Sequence, residues 1–186
     1  TIAATSSTTS VTQAITASSK SVAYKSKPFS LNAKSSGGGK LTYKTSNKKV
    51  ATVSSSGTVT VKNYGQTTIT ITAAANGNYQ AATKKITIKV VPKKVTLKSL
   101  KTTKKKTMAA KWTKDKTVTG YQVYFSNRKD FKKGTFERTY KASKSSMSLY
   151  GVKSKKTYYV KIRAYKKVGS KKYYGSWSNV KKVKIK

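Results

Sequence analysis

Bond-making at neutral pH calls for a base, an activated nucleophile, a metal-ligand set or paired carboxylates, and this chain is poor in all four. Its 186 residues include no His and no Cys. Serine or cysteine hydrolysis therefore lacks its usual base, and neither an imidazole nor a thiolate metal site can be assembled. The acids are Asp115, Asp130 and Glu137, all in the second half of the chain. A glycosidase pair would have to be drawn from these three, and calcium would find too few carboxylate oxygens. Asp115 stands in Lys-Asp-Lys, a solvated loop. Asp130 and Glu137 fall in a basic loop, 126–141, where lysines are their expected partners. The run Ser35-Ser36-Gly37-Gly38-Gly39-Lys40 sets glycines before a Lys, but the Gly-x4-Gly-Lys-Ser/Thr spacing of a phosphate loop is missing. The reading is of a non-catalytic protein with no cofactor, no metal and no catalytic residue.

What the chain has in excess is positive charge: 42 Lys and Arg against 3 acids, a net charge of +39. Thirty of these cations lie in residues 92–186 and twelve in residues 1–91. Such a field attracts polyanions of any kind. The cations are nearly all Lys, with Arg only at 128, 138 and 163. Lysine is a hydrated point charge, whereas base and phosphate readout favours the planar guanidinium fork. Nucleic acid is therefore expected to bind only non-specifically. No run approaches the roughly 20 apolar residues of a membrane span.

The elements that would position these charges are strands. In the stretch Leu149 to Tyr165, Tyr158, Val160, Ile162 and Ala164 fall on one face, while Tyr159, Lys161, Arg163 and Tyr165 fall on the other. That is a half-buried strand, apolar inward and basic outward. Tyr158, at its first inward position, needs a partner for its hydroxyl, and the turn 152–157 offers backbone groups just upstream. Tyr121, Val123 and Phe125 alternate in the same way with Gln122 and Tyr124, and Met108, Ala110 and Trp112 share another inner face. Earlier in the chain, short apolar patches end in Thr67–Ala73, which alternates Ile inward with Thr outward. Asn76-Gly77-Asn78 then reads as a hairpin. Turns recur every 8 to 12 residues and no segment keeps a helical period, which argues for sandwiches. Residues 1–12, rich in Thr, Ser and Ala, read as a linker or a frayed first strand. The dipeptide Val91-Pro92 marks a short, semi-rigid joint.

The segment SNKKVATVSSSGTVTVKNYGQTTITITAAANGNY, within residues 13–91, resembles a bacterial immunoglobulin-like domain of group 2. It does so through V-A-T-V, then S-x-G-x-V-T-V, then a Gly before an alternating Ile/Thr strand. The order W…GYQVY…KKTYYVKIRAY…GSWSNVKKVKI over residues 92–186 resembles a fibronectin type III domain, with Tyr158 as its corner tyrosine and Trp112 as its core tryptophan. The resemblance implies an all-β chain of two tandem immunoglobulin-like β-sandwiches, joined by a short Pro-containing linker. It also implies an adhesive or stalk module of a bacterial surface protein, secreted or wall-attached, forming a monomeric segment of a longer chain.

If strands C, F and G adjoin as in that family, one face gathers Tyr124, Tyr159, Lys161, Arg163, Tyr165, Lys182 and Lys184. These are the candidate polyanion-binding residues. Cations facing each other across strands cost stability, so this face would gain from a neutralising anion such as an acidic wall or host polysaccharide. A host surface protein is the other expected partner. Tyr173, Tyr174 and Trp177 are candidate surface aromatics that could stack on sugars or bases. An accessory carbohydrate-binding or spacer module of a secreted enzyme is the alternative function, and a nucleic-acid-binding protein the next.

Overall fold

The computed structural model describes residues 9–186, and among them there is no helix. Contacts divide the chain into two compact units, Thr1–Val90 and Val91–Lys186, each with its own apolar core.

The first unit contains β1 (Val11–Thr12), β2 (Ile15–Thr16), β3 (Lys20–Ala23), β4 (Phe29–Ser30), β5 (Lys34–Ser35) and β6 (Leu41–Thr45). It continues with β7 (Ala51–Val53), β8 (Thr58–Val61), β9 (Gly65–Ala73), β10 (Tyr79–Gln80) and β11 (Ala82–Val91). A four-stranded sheet in the order β3-β11-β9-β6 and a three-stranded one in the order β4-β8-β7 contribute to the core. Strand β9 organises it: Ile69, Ile71 and Ala73 are fully buried, while Thr68, Thr70 and Thr72 point outward. Ile86 and Ile88 of β11 complete the layer from the neighbouring strand. The hairpin after β9 closes with Gly77 at φ 55°, followed by Asn78 at negative φ, as a type II′ turn requires of its first central residue.

The glycine run at 37–39 packs rather than cradling an anion. A Cβ on Gly39 would lie 2.0 Å from the Ala74 carbonyl oxygen, so only Gly fits there. Of the stretch read as a linker or frayed strand, Val11–Thr12 pair in parallel with β10, and residues 1–8 lie outside the described residues.

The second unit contains β12 (Leu97–Thr102), β13 (Thr107–Trp112), β14 (Gly120–Ser126), β15 (Thr135–Lys141), β16 (Ser146–Tyr150), β17 (Thr157–Val168), β18 (Lys171–Tyr174) and β19 (Lys181–Lys184). One sheet runs β12-β13-β16. The other runs β15-β14-β17, with β18 and β19 both paired to β17. These are strands A, B, E against C′, C, F and a divided G, the order of a fibronectin type III sandwich. Tyr121, Val123, Phe125, Val160, Ile162 and Ala164 face inward and are at most 1% exposed. They meet Met108, Ala110 and Trp112 in one core.

Residues 126–141, read as a basic loop, are corrected by the structure. Thr135–Lys141 pair residue for residue with β14 from Lys141↔Gly120 to Thr135↔Ser126, leaving only 127–134 as the hairpin loop. The strand is edge-exposed and polar, so its pairing comes from β14 rather than from an apolar face of its own.

Tyr158 does serve as the corner residue. Its hydroxyl accepts the Lys153 N–H at 3.3 Å, five residues upstream, while its ring packs against the core. Tyr158→Phe is expected to lower the stability of this unit by about 0.5–1.5 kcal/mol. A shift of the urea midpoint at constant slope is the readout, and an unchanged midpoint would show that the bond contributes nothing.

Candidate functional site: the basic face of the second unit

The outward face of β14, β17, β18 and β19 carries the candidate residues, and the register decides what each one meets. Gln122 lies opposite Arg163, Tyr124 opposite Lys161, Ser126 opposite Tyr159, and Gly120 opposite Tyr165. On the other side, Tyr159 pairs with Lys182, Thr157 with Lys184, and Tyr165 with Tyr174. Cations thus face aromatic or neutral side chains. The expectation of like charges opposed across the candidate residues is corrected: in this sheet two cations oppose each other only at Lys167↔Lys172, at the far end of the β17–β18 hairpin.

The division of strand G into β18 and β19 shapes this face. Between them the chain leaves the ladder at Gly175–Val180, and Ser178 bridges the gap. Its backbone N–H donates to the Ile162 carbonyl at 2.7 Å, and its Oγ accepts the buried Ile162 N–H at 3.0 Å. One side-chain hydroxyl thereby replaces a missing ladder acceptor, so the buried Ile162 N–H is satisfied. Next to it, the Asn179 side chain accepts the Leu97 N–H of β12 at 3.2 Å and fixes the bulge to the opposite sheet. The bulge turns Trp177 onto the outward face.

Trp177 is the hub of a stack of rings and cations. Its ring lies 4.5 Å from that of Tyr124. The Arg163 guanidinium sits 4.3 Å from the Trp177 ring on one side and 4.1 Å from Tyr174 on the other. The Lys161 ammonium lies 4.8 Å from Trp177, 4.1 Å from Phe131 and 5.7 Å from Tyr124. Rings present negative faces to these cations and attract them. Burial, and then the neighbouring Arg163 charge, pull the Lys161 ammonium below the ordinary lysine value. Arg163 Nε also donates to Gln122 Oε1 at 2.6 Å, and Gln122 Nε2 donates to Glu137 at 2.7 Å. Gln122, though on the outward face, is only 6% exposed beneath this network.

Of the predicted residues, the structure brings Tyr124, Lys161, Arg163, Tyr165, Tyr174 and Trp177 together in one stack, with Tyr165 and Tyr174 at 6.0 Å. Tyr159, Lys182 and Lys184 stand apart, further along the same face. Tyr159 and Lys182 border a surface recess of ≈ 330 Å³, together with Lys129, Val180 and Lys181. Tyr173 is corrected as a surface aromatic: it pairs with Lys166, points to the opposite side from Tyr174, and is 7% exposed. Phe131 and Lys129 were missed because they sit in the 127–134 hairpin, which reads as polar. Its single aromatic residue was the available signal.

The acids are occupied locally, though not by lysines as expected. Asp130 pairs with the Arg128 guanidinium at 3.2 Å, and this bond holds its carboxyl below the ordinary range. Asp115 accepts the backbone N–H and hydroxyl of Thr117, while its own backbone bonds the Tyr121 hydroxyl. Glu137 accepts from Gln122.

Residues 30–75, inside the first unit, match the family described as "Intimin, immunoglobulin-like domain". This match supports the immunoglobulin-like reading of the first unit. No curated protein matches the chain. Among solved structures it is similar to chicken CNTN1 FN1-FN3 domains, at 18% identity and a TM-score of 0.46, covering 78% of this chain and 52% of that one. A structure described as "Myokine structure" matches at 15% identity and a TM-score of 0.40, over 50% of this chain and 97% of that one. The chain thus spans about half the length of the solved CNTN1 chain.

Proposed function

We propose that this chain is a non-catalytic surface module, an adhesive or stalk segment of a bacterial surface protein, whose second unit contacts anionic polymers. The observation that carries this reading is the fate of the charges. Each of the three acids is held by a neighbour within the second unit, so among the described residues no acid pairs with the exposed cations Lys129, Lys182 and Lys184 of the outward face. The intimin immunoglobulin-like match supports a bacterial surface setting. The stacked half of the face gives shape and rigidity, and the open half presents charge.

Attraction through exposed lysines depends on releasing counter-ions from the polymer. Retention on an acidic polysaccharide should therefore fall linearly in log salt. Two or three neutralised lysines imply a loss of about tenfold between roughly 50 and 150 mM salt. A surface plasmon resonance series on immobilised acidic and neutral glycans reads this directly. Retention on a neutral glycan that ignores salt would instead place the chain with the accessory carbohydrate-binding modules.

A further inference from the structure

The two halves of the outward face differ in what they leave open. Around Trp177 both cations and rings are used up on each other. Around Tyr159 they are not: among the described residues no cation and no second ring stacks on it, although Lys182 lies directly opposite in the ladder. Beside it Val180 is 45% exposed, an apolar side chain held out by the same bulge that turns Trp177 over. Lys129, from the 127–134 hairpin, closes the other rim, and its neighbour Arg128 is already committed to Asp130. This half-open recess of ≈ 330 Å³ is at the small end of ligand clefts, which run from about 300 to 1,000 Å³. It holds one unit of a polymer rather than a folded peptide.

We infer that this recess is a subsite for one acidic sugar of a polysaccharide, its ring against Tyr159 and Val180 and its carboxylate between Lys129 and Lys182. The assignment rests on the reading of the basic face as an anion-docking surface and says where on that face, and by which monomer, recognition occurs. A pyranose has an apolar C–H face that suits an open aromatic ring and an aliphatic neighbour, and a carboxylate at its edge suits ammonium groups. A nucleic acid strand would want a row of free rings and planar guanidinium forks. Here one ring is free, and the arginines nearby, Arg128 and Arg163, are engaged.

The test uses the full chain, titrated by NMR with tetragalacturonic acid, its methyl ester, inorganic polyphosphate and a single-stranded oligonucleotide. Tyr159→Ala is expected to weaken tetragalacturonate about tenfold, the effect of losing one stacking contact, and to leave polyphosphate unchanged. The double variant Lys129→Gln with Lys182→Gln, both exposed, should weaken both acidic ligands. Lys84→Gln with Lys85→Gln, the same charge loss in the first unit, should spare tetragalacturonate. The methyl ester should bind far more weakly than the acid. If the two lysine pairs weaken tetragalacturonate equally and Tyr159→Ala does nothing, the recess is not the subsite, while the reading of the face stands. Failure to bind any polyanion overturns that reading itself. Tightest binding of the oligonucleotide, lost in Tyr159→Ala, would assign the recess to nucleotides and overturn the acidic sugar.

Discussion

Trp112→Ala is expected to destabilise the second unit by about 3–5 kcal/mol, enough to unfold much of it, because small domains hold only about 5–15 kcal/mol in total. Trp112 is 2% exposed at the end of β13. Its indole meets Tyr121 edge-on at 5.6 Å and Tyr140 at 5.6 Å, joining the inner faces of the two sheets. Alanine would leave a cavity lined by rings that cannot collapse far, since Tyr121 is tied through its hydroxyl to the backbone of Asp115. Among the described residues the indole N–H has no hydrogen-bond partner, so part of what Trp112 contributes through volume is offset by a buried donor. Trp112→Phe therefore separates the two effects, and should cost only about 1–2 kcal/mol. The chain has two tryptophans, so in both variants Trp177 alone reports the unfolding of this unit by fluorescence. Equal losses in the alanine and phenylalanine variants would mean that ring volume is not what Trp112 supplies.

The inner faces were legible because burial imposes a period of two wherever a strand covers a core. Val160, Ile162 and Ala164, or Ile69 and Ile71, announce themselves whatever their neighbours do. The edge strand 135–141 escaped because it buries little: its inward-register residues Phe136 and Arg138 lie open to solvent, and alternation leaves no trace. The outer face was half legible. Alternation places Lys161, Arg163 and Tyr165 outward, but a side chain's direction says nothing of which cation a ring has already taken. That depends on the bulge at Gly175–Val180, a backbone event made possible by one serine hydroxyl reaching Ile162. In Tyr173-Tyr174 the two rings must point to opposite sides, and only the pairing of β18 with β17 decides that Tyr174 is the outward one. Net charge was plain from composition. Which lysines are free was not, because freedom here is a matter of local packing.

Trp177→Ala tests that distinction. The variant removes one aromatic pair, worth about 0.5–1.5 kcal/mol, and two cation–π contacts of about 0.5–1 kcal/mol each. The expected cost is about 2–3 kcal/mol of unfolding free energy in the second unit. It also uncovers Lys161. In the native protein the lowered value of Lys161 means that the folded state holds this proton less tightly than the unfolded chain does. The stability linked to it is thus lowest at neutral pH and recovers as pH rises through the folded value towards that of a free lysine. In Trp177→Ala the ammonium should titrate closer to the ordinary lysine range and this alkaline recovery should shrink, which heteronuclear NMR of the lysine side chains and urea unfolding against pH would both register. Binding supplies the sharper contrast. Were Trp177 a platform for sugars, its loss would weaken acidic glycans. As a clamp on Arg163 and Lys161, its loss loosens both cations, which keep Tyr174 and Phe131 as partners, so polyphosphate should bind more tightly and its log–log salt slope should steepen by up to about one. A weaker and shallower response would return Trp177 to the ligand and undo the division of this face into a closed half and an open one.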